Sequence, residues 1–359
     1  MIRLGIIGTG GMANWHAKAA SELKGVKLAA CCDIREPVVK TFAEKWLVPK
    51  SYIDYREMLE HEKLDAVVNV TPDAAHADVA IAVLTRGIPI LSEKPLATSL
   101  DEAIRMAAVA RDSRVPHMVN FSYRNSCGLQ RAAEVIRAGK IGRVIHVESS
   151  YLQSWLVSGA WGNWLEKPGM VWRLSSRHGS AGVLGDLGCH IYDLTTLLCG
   201  DIAEIDCRLA VFQKLGITGN TWGEYVFDAN DSFVSTVLFK NGAIGTIHSS
   251  RWAIGQGNSL RARVYGDKGA IEVDLDTSYE QYKICTGKDN INACKWDVVE
   301  CKPTPSNWQR FVKAVRTGRN DVSDFFNATR IQAYLHYSFE SDRLRQPVKV
   351  ELPVGVREE

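Results

Sequence analysis

The stretch Arg3-Leu4-Gly5-Ile6-Ile7-Gly8-Thr9-Gly10-Gly11-Met12-Ala13 decides the fold. Arg3 to Ile7 reads as a short buried strand, Gly8, Gly10 and Ala13 form a GxGxxA turn, and a helical pattern follows from Trp15 to Leu23. Glycines in such a turn let the chain bend sharply and bring backbone N–H groups up to a pyrophosphate at the start of the next helix. A second apolar run, Lys27 to Cys32, ends on Asp33-Ile34-Arg35, about 20 residues past Ala13, where a carboxylate can accept hydrogen bonds from ribose hydroxyls. Strand, turn, helix and acid together predict a dinucleotide site on Gly8, Thr9, Gly10, Gly11, Met12, Ala13, Asp33, Ile34 and Arg35. Asp33 would repel a 2′-phosphate and points to NAD, while Arg35 leaves NADP open. The plainer alternative is a glycine turn with a surface Asp. No GK[ST] follows the glycines, which excludes a Walker-type phosphate loop.

Working outward, apolar strands at Ala66 to Val70, Pro89 to Ser92 and His117 to Phe121 alternate with helices at Pro37 to Lys45, Ala75 to Arg86 and Leu100 to Arg111. The last helix opens with a capping box, Ser99-x-x-Glu102. Such alternation predicts βαβ units and a doubly wound parallel sheet. From Arg143 onward the pattern changes to longer strands with little helix between them: Arg143 to Tyr151, Ile202 to Phe212, Ser232 to Phe239, Ala243 to Arg251, Leu260 to Tyr265 and Ala270 to Leu275. The expectation is an α/β protein with a Rossmann domain over residues 1–122. Residues 123–359 then form a substrate-binding and oligomerisation domain with a large, mostly antiparallel open sheet, and Asn307 to Thr317 and Ala328 to Arg343 as late helices.

The 359 residues are 46% apolar and 23% charged, enough for one or two substantial cores. Forty-three basic and forty-one acidic residues give a net +2, so no strong field gathers nucleic acid or anionic lipid. Nine cysteines, without a CxxC pair or a zinc-type His spacing, suggest reduced thiols and no metal centre. No apolar run reaches the ~20 residues that cross a bilayer, and Met1 leads directly into a strand. These features predict a cytoplasmic protein with a small-molecule partner, self-associating as a homodimer or homotetramer through the open sheet.

Four further segments carry chemistry. Thr71-Pro72-Asp73-Ala74-Ala75-His76 and Glu93-Lys94-Pro95 follow strands, at the carboxyl ends where open α/β sheets bind ligands. Lys94 there is either a proton-transfer group aimed into a crevice or a snorkelling side chain that closes the strand. On a helix starting near Asp186, the side chains of Asp186, His190 and Asp193 share one face. A histidine beside a carboxylate suits proton acceptance near neutral pH, and a solvated charged face is the alternative. Trp155, Trp161, Trp164 and Trp172, interleaved with Arg173, Arg177 and His178, either stack on a sugar or pack as an interface.

Taken in order, Gly8-x-Gly10-x-x-Ala13, Thr71-Pro72-x-x-x-His76, Glu93-Lys94-Pro95, Tyr123-Arg124, Gly139-Lys140-Ile141-Gly142, Trp172-Arg173 and Asp186-x-Gly188-x-His190-x-x-Asp193 resemble the Gfo/Idh/MocA oxidoreductase family over nearly the whole chain. The resemblance implies NAD(P) and redox chemistry at a sugar or polyol carbon, with Lys94, Asp186 and His190 as catalytic residues. In that scheme His190 takes the hydroxyl proton, Lys94 hydrogen-bonds the same oxygen, and Asp186 orients both. Thr71, Pro72, His76, Glu93, Lys94 and Pro95 would join the cofactor site. Tyr123, Arg124, Trp161, Trp164, Trp172, Arg173, Asp186 and His190 would face substrate. Gly179-Ser180-Ala181-Gly182 and Asn125-Ser126-Cys127 depart from the family pattern beside the sugar pocket, which leaves the sugar unnamed. Two other outcomes stay open: glycosidic cleavage through transient oxidation, and a non-catalytic dinucleotide sensor.

Overall fold

The structure, a computed structural model, describes residues 1–353. It divides into two compact units, the first formed by residues 1–122, 305–332 and Pro353, the second by residues 123–304 and 333–352.

The first unit holds six strands: β1 (Ile2–Ile7), β2 (Val26–Cys32), β3 (Ser51–Tyr52), β4 (Ala66–Asn69), β5 (Ile90–Ser92) and β6 (His117–Val119). They pair in parallel in the order β3-β2-β1-β4-β5-β6, the doubly wound Rossmann arrangement. Order reverses beside β1, and β1 and β4 therefore carry their loops in opposite directions at the carboxyl edge, where such sheets bind ligands. The connecting helices are α1 (Gly11–Ser21), α2 (Glu36–Trp46), α3 (Tyr55–His61), α4 (His76–Thr85) and α5 (Leu100–Ser113). Helix α1 begins in the glycine turn itself, four residues before the apolar pattern suggests. Its buried face is built from the small residues Ala13, Ala17 and Ala20, which lie close against the sheet without a bulky stripe to announce them.

The chain does not divide at a single cut near residue 123. A later helix at Asn307–Thr317 presents Trp308, Phe311 and Val312 on one face and buries them with Ile2, Leu28 and Phe42 in the first unit's core. Trp308, Phe311 and Val312 are thus part of the same core as the N-terminal strands.

The second unit is built on a nine-stranded sheet. Its strands are β7 (Val144–Gln153), β8 (Ile202–Ala210), β11 (Ser232–Phe239), β12 (Ile244–Ser250), β13 (Asn258–Gly266), β14 (Gly269–Asp274), β15 (Gln281–Thr286), β16 (Asp297–Glu300) and β17 (Val348–Lys349), while β9 (Thr221–Trp222) and β10 (Tyr225–Val226) form a separate hairpin. The order is β16-β15-β14-β13-β7-β12-β11-β8-β17, antiparallel throughout except for the β7–β12 pair. Strand β11 alternates Phe233, Ser235, Val237 and Phe239 inward with Val234, Thr236 and Leu238 outward, so one face is covered and the other open. Helices α6 (Cys127–Arg137) and α8 (Cys189–Cys199), with the short α7 (Pro168–Val171) between them in sequence, belong to this unit.

Candidate active site

In the first unit, Gly8 has φ +87°, and a Cβ on it would lie 2.4 Å from the Val70 carbonyl oxygen, so only glycine fits. Gly10 caps α1 in an extended conformation, and no side chain bonds the free N–H groups of that first turn. A Cβ at Gly10 or Gly11 would meet nothing within 4 Å. Open space above uncapped helix N–H groups is what a dinucleotide pyrophosphate requires, so the residues fit NAD. Asp33 ends β2 beside this turn. Its carboxylate accepts from the Thr9 N–H at 2.9 Å and hydroxyl at 3.2 Å, and from the Arg35 N–H at 3.1 Å and Nε at 3.2 Å. Burial alone would raise the Asp33 carboxyl, but the Arg35 guanidinium and these N–H donors outweigh it and hold it below the usual carboxylate range. The Arg35 side chain is largely exposed, so it can swing off Asp33 as ribose hydroxyls arrive. Ile34 and Met12 are exposed next to these groups.

The Glu93-Lys94-Pro95 segment ends β5. Glu93 is buried: its Oε1 accepts from His16 Nε2 at 2.7 Å and from the Asn120 amide at 2.8 Å, and its Oε2 from the Lys94 N–H at 3.1 Å. Desolvation pushes this carboxyl up, but the His16 contact, Asn120 and the Lys94 charge bring it down to about 2. Lys94 itself is half-buried, and the Lys94–Pro95 peptide is cis. His76 is fully buried, with Nδ1 2.8 Å from the Pro95 carbonyl and Nε2 2.9 Å from the Thr71 carbonyl. Glu93 and His76, predicted to touch cofactor, are therefore braces that fix the loops bearing Lys94 and Thr71. Thr71 and Pro72 remain partly exposed, with the Thr71 hydroxyl on Asn69 Oδ1 at 2.7 Å. His16 gave no signal in the sequence, since one histidine among the alanines of α1 breaks no period.

In the second unit, the predicted α-helix from Asp186 is instead a π turn, Leu184–Gly188, that continues into α8. Gly188 packs where a Cβ would meet Leu184 and Leu335 at 3.0 and 3.2 Å, and the wide turn between the two glycines carries Asp186. Asp186 and His190 thus lie on successive turns of one continuous helix. Asp193 lies one turn further along α8. It is buried and takes two parallel hydrogen bonds from Arg124, at 2.8 and 2.7 Å, which makes Arg124 a structural partner rather than a substrate contact.

Asp186 is held by two guanidiniums. Arg251, fully buried at the end of β12, donates from Nη2 to Oδ2 at 3.0 Å, and Arg173 Nε lies 3.5 Å from the same oxygen. Arg251 also donates to the Arg173 carbonyl at 3.1 Å and rests 5.1 Å over the Trp155 ring. Its signal was legible: Gly245, Ile247 and Ser249 point inward on β12, so Arg251 is a charge at an inward position of the period-2 pattern. His190 is buried, with the Tyr123 and Tyr151 rings edge-on at 4.9 and 6.2 Å. The two tyrosine hydroxyls hydrogen-bond each other. Tyr151 donates to Asn258 Oδ1 at 2.8 Å, and the Asn258 amide donates to Tyr123 at 3.1 Å. Burial, with the neighbouring Tyr123, drives the Tyr151 hydroxyl well above its ordinary value, so it stays a neutral donor.

The tryptophans separate. Trp155 and Trp164 are buried with Leu156, Val171, Leu174 and Phe227, so Trp164 is core rather than sugar wall. The reason is length: the loop from 154 to 180 has too little regular structure to bury itself without large rings. Trp161 is 38% exposed, and Trp172 carries the Arg173 guanidinium 4.9 Å over its ring.

Residues 2–121 match the family model described as an oxidoreductase family with an NAD-binding Rossmann fold, and residues 129–272 match the GFO/IDH/MocA C-terminal domain. Levoglucosan dehydrogenase of Pseudarthrobacter phenanthrenivorans is 26% identical over 290 residues, 75% of this chain and 73% of that protein. The NAD(+)-dependent scyllo-inositol 2-dehydrogenase of Bacillus subtilis is 26% identical over 91% of this chain and 90% of its own length. The solved levoglucosan dehydrogenase complex with NADH and L-sorbose shares the fold, with a TM-score of 0.86 at 22% identity over 98% of this chain and 99% of that one. Among the described residues no helix is long and apolar enough to cross a membrane.

Proposed function

The chain belongs to the GFO/IDH/MocA family of NAD-binding oxidoreductases, and from that premise we propose that it oxidises a secondary alcohol of a sugar or polyol, or reduces the matching ketone. Bound at the glycine turn, NAD supplies the hydride acceptor. His190 takes the hydroxyl proton as the carbon–hydrogen bond breaks, and Lys94 donates a hydrogen bond to the alcohol oxygen. Asp186, pinned by Arg251 and Arg173, is held in a fixed position one turn from His190, where it orients the reacting groups. The neutral Tyr151–Tyr123 pair fixes the ring edge-on. The observation that carries this reading is the wide turn that joins a doubly paired Asp186 to a buried His190, in a chain whose other unit builds an uncapped dinucleotide turn.

Trp161, Trp172 and Arg173, the partly exposed members of the tryptophan-rich loop, are the groups we assign to the sugar ring. The open face of the nine-stranded sheet, where Val234 and Ile244 are 54% and 56% exposed, supports a homo-oligomer, which light scattering on the purified protein would report. A cytoplasmic setting suits nine cysteines that are all free. The function is tested by following nicotinamide absorbance with NAD and NADP over monosaccharides, polyols, sugar acids and sugar phosphates. Reduction of NAD by a member of the panel supports the reading. A cleaved glycoside with no net change in the cofactor pool would replace it.

A further inference from the structure

We propose that the substrate carries an anionic group, a carboxylate or a phosphate, and that Arg173 is its receptor. The inference rests on the dehydrogenase reading and extends it to the class of sugar.

It begins with Arg251. A guanidinium with 0% exposure must keep a counter-charge, because an unpaired buried charge is strongly unfavourable. Asp186 supplies it at 3.0 Å. Arg173 approaches the same carboxylate oxygen with Nε at 3.5 Å, so two guanidiniums share one carboxylate, an excess of one positive charge at this contact. Arg251 is sealed, with a side-chain exposure of 0%. The excess reaches solvent only at Arg173, whose side chain is 36% exposed.

Arg173 is also held ready. Its ring-stacked guanidinium lies 4.9 Å over Trp172, one Nη donates to the Gly169 carbonyl, and Nε faces the shared Asp186 at 3.5 Å. A planar donor fork immobilised in this way loses little freedom on binding and matches the two oxygens of a carboxylate or phosphate. A neutral hydroxyl would leave the excess charge uncompensated. Arg177, exposed four residues on, adds to the positive potential of the same loop.

The test compares a neutral hexose with its 6-phosphate and its uronic acid, which differ only in the appended group, for kcat/KM with NAD. A charged hydrogen-bonded contact of the usual strength corresponds to about 10- to 100-fold, so at least one anionic member should exceed the neutral sugar by that factor. Which of the two it is separates phosphate from carboxylate. Arg173→Met should collapse the anionic-to-neutral ratio toward one by raising KM, and Arg173→Lys, which keeps the charge, should retain part of it. In parallel, with the dinucleotide site saturated by NADH, inorganic phosphate should raise the melting temperature of the wild-type protein and not that of Arg173→Met. A neutral hexose used as well as both charged partners, or a ratio unchanged in Arg173→Met, overturns the inference. If no sugar reduces NAD while phosphate still stabilises the protein through Arg173, the anion site stands and the dehydrogenase reading falls.

Discussion

The buried Arg251–Asp186 pair makes a quantitative prediction, because its two ends are desolvated to different degrees. Removing one partner of a buried ion pair costs about 3–5 kcal/mol when the other is left sealed. Asp186→Asn leaves Arg251 with 0% exposure and an adjacent Arg173, so a cost of about 3 kcal/mol is expected even though Asn keeps an oxygen acceptor. Arg251→Met leaves Asp186 29% exposed with Arg173 at 3.5 Å, which reduces the charge penalty. That variant also loses the contact with Trp155, worth ~0.5–2 kcal/mol, for a total of about 2 kcal/mol. The double variant removes both charges together, so its cost should fall at least about 1 kcal/mol short of the sum of the single variants. Urea unfolding at neutral pH, followed by tryptophan emission, closes the cycle. Additivity within about 0.5 kcal/mol, or an Asp186→Asn variant as stable as wild type, would refute the pairing and with it the fixed position of Asp186 one turn from His190.

Cofactor choice follows from Asp33: Asp33→Ala should weaken NAD and narrow its advantage over NADP, while Arg35→Ala, which frees the carboxylate, should widen it, as read by Kd titrations. The bidentate Arg124–Asp193 pair is buried at both ends, so Arg124→Met should destabilise the protein by about 3–5 kcal/mol in chemical unfolding. Trp164→Ala should cost about 3–5 kcal/mol by cavity formation, whereas Trp161→Ala should change KM with stability intact. Glu93 has a depressed folded value, so its stabilisation is complete above the ordinary carboxylate range and lost as pH falls toward about 2. Glu93→Gln should therefore flatten stability against pH in that acid window.

Much of the fold could be read from the chain because its signals are local. The runs Leu4–Ile7, Leu28–Cys32 and Ala66–Asn69 are continuously buried, and Ser232–Phe239 follows strict alternation, so burial imposes its period on the sequence. Asp297–Glu300 is an edge strand with no buried residue, and Gln281–Thr286 buries only Tyr282 and Cys285, three positions apart, so neither carries a period-2 pattern. The predicted capping box at Ser99 forms only in part. Ser99 accepts from the Glu102 N–H, but the Glu102 carboxylate turns to the N–H and hydroxyl of Thr98. At the candidate site, residue types were legible and partners were not. Arg124 looked like a ligand contact until its guanidinium met Asp193, 69 residues away. Glu93 belongs to His16, 77 residues earlier. Such pairings are made by the fold, and no spacing along one chain announces them.

The central claim, that hydride leaves a sugar carbon while His190 takes the hydroxyl proton, is tested most directly by label transfer. Purified protein is mixed with NAD and sugars or sugar acids deuterated at their ring carbons, and the reduced nicotinamide is analysed by mass spectrometry. Wild-type protein should place deuterium on the nicotinamide. His190→Ala, with NAD binding retained, should do so about 10²- to 10⁴-fold more slowly. Deuterium absent from the cofactor across the whole panel, or transferred at the wild-type rate by His190→Ala, would contradict the account.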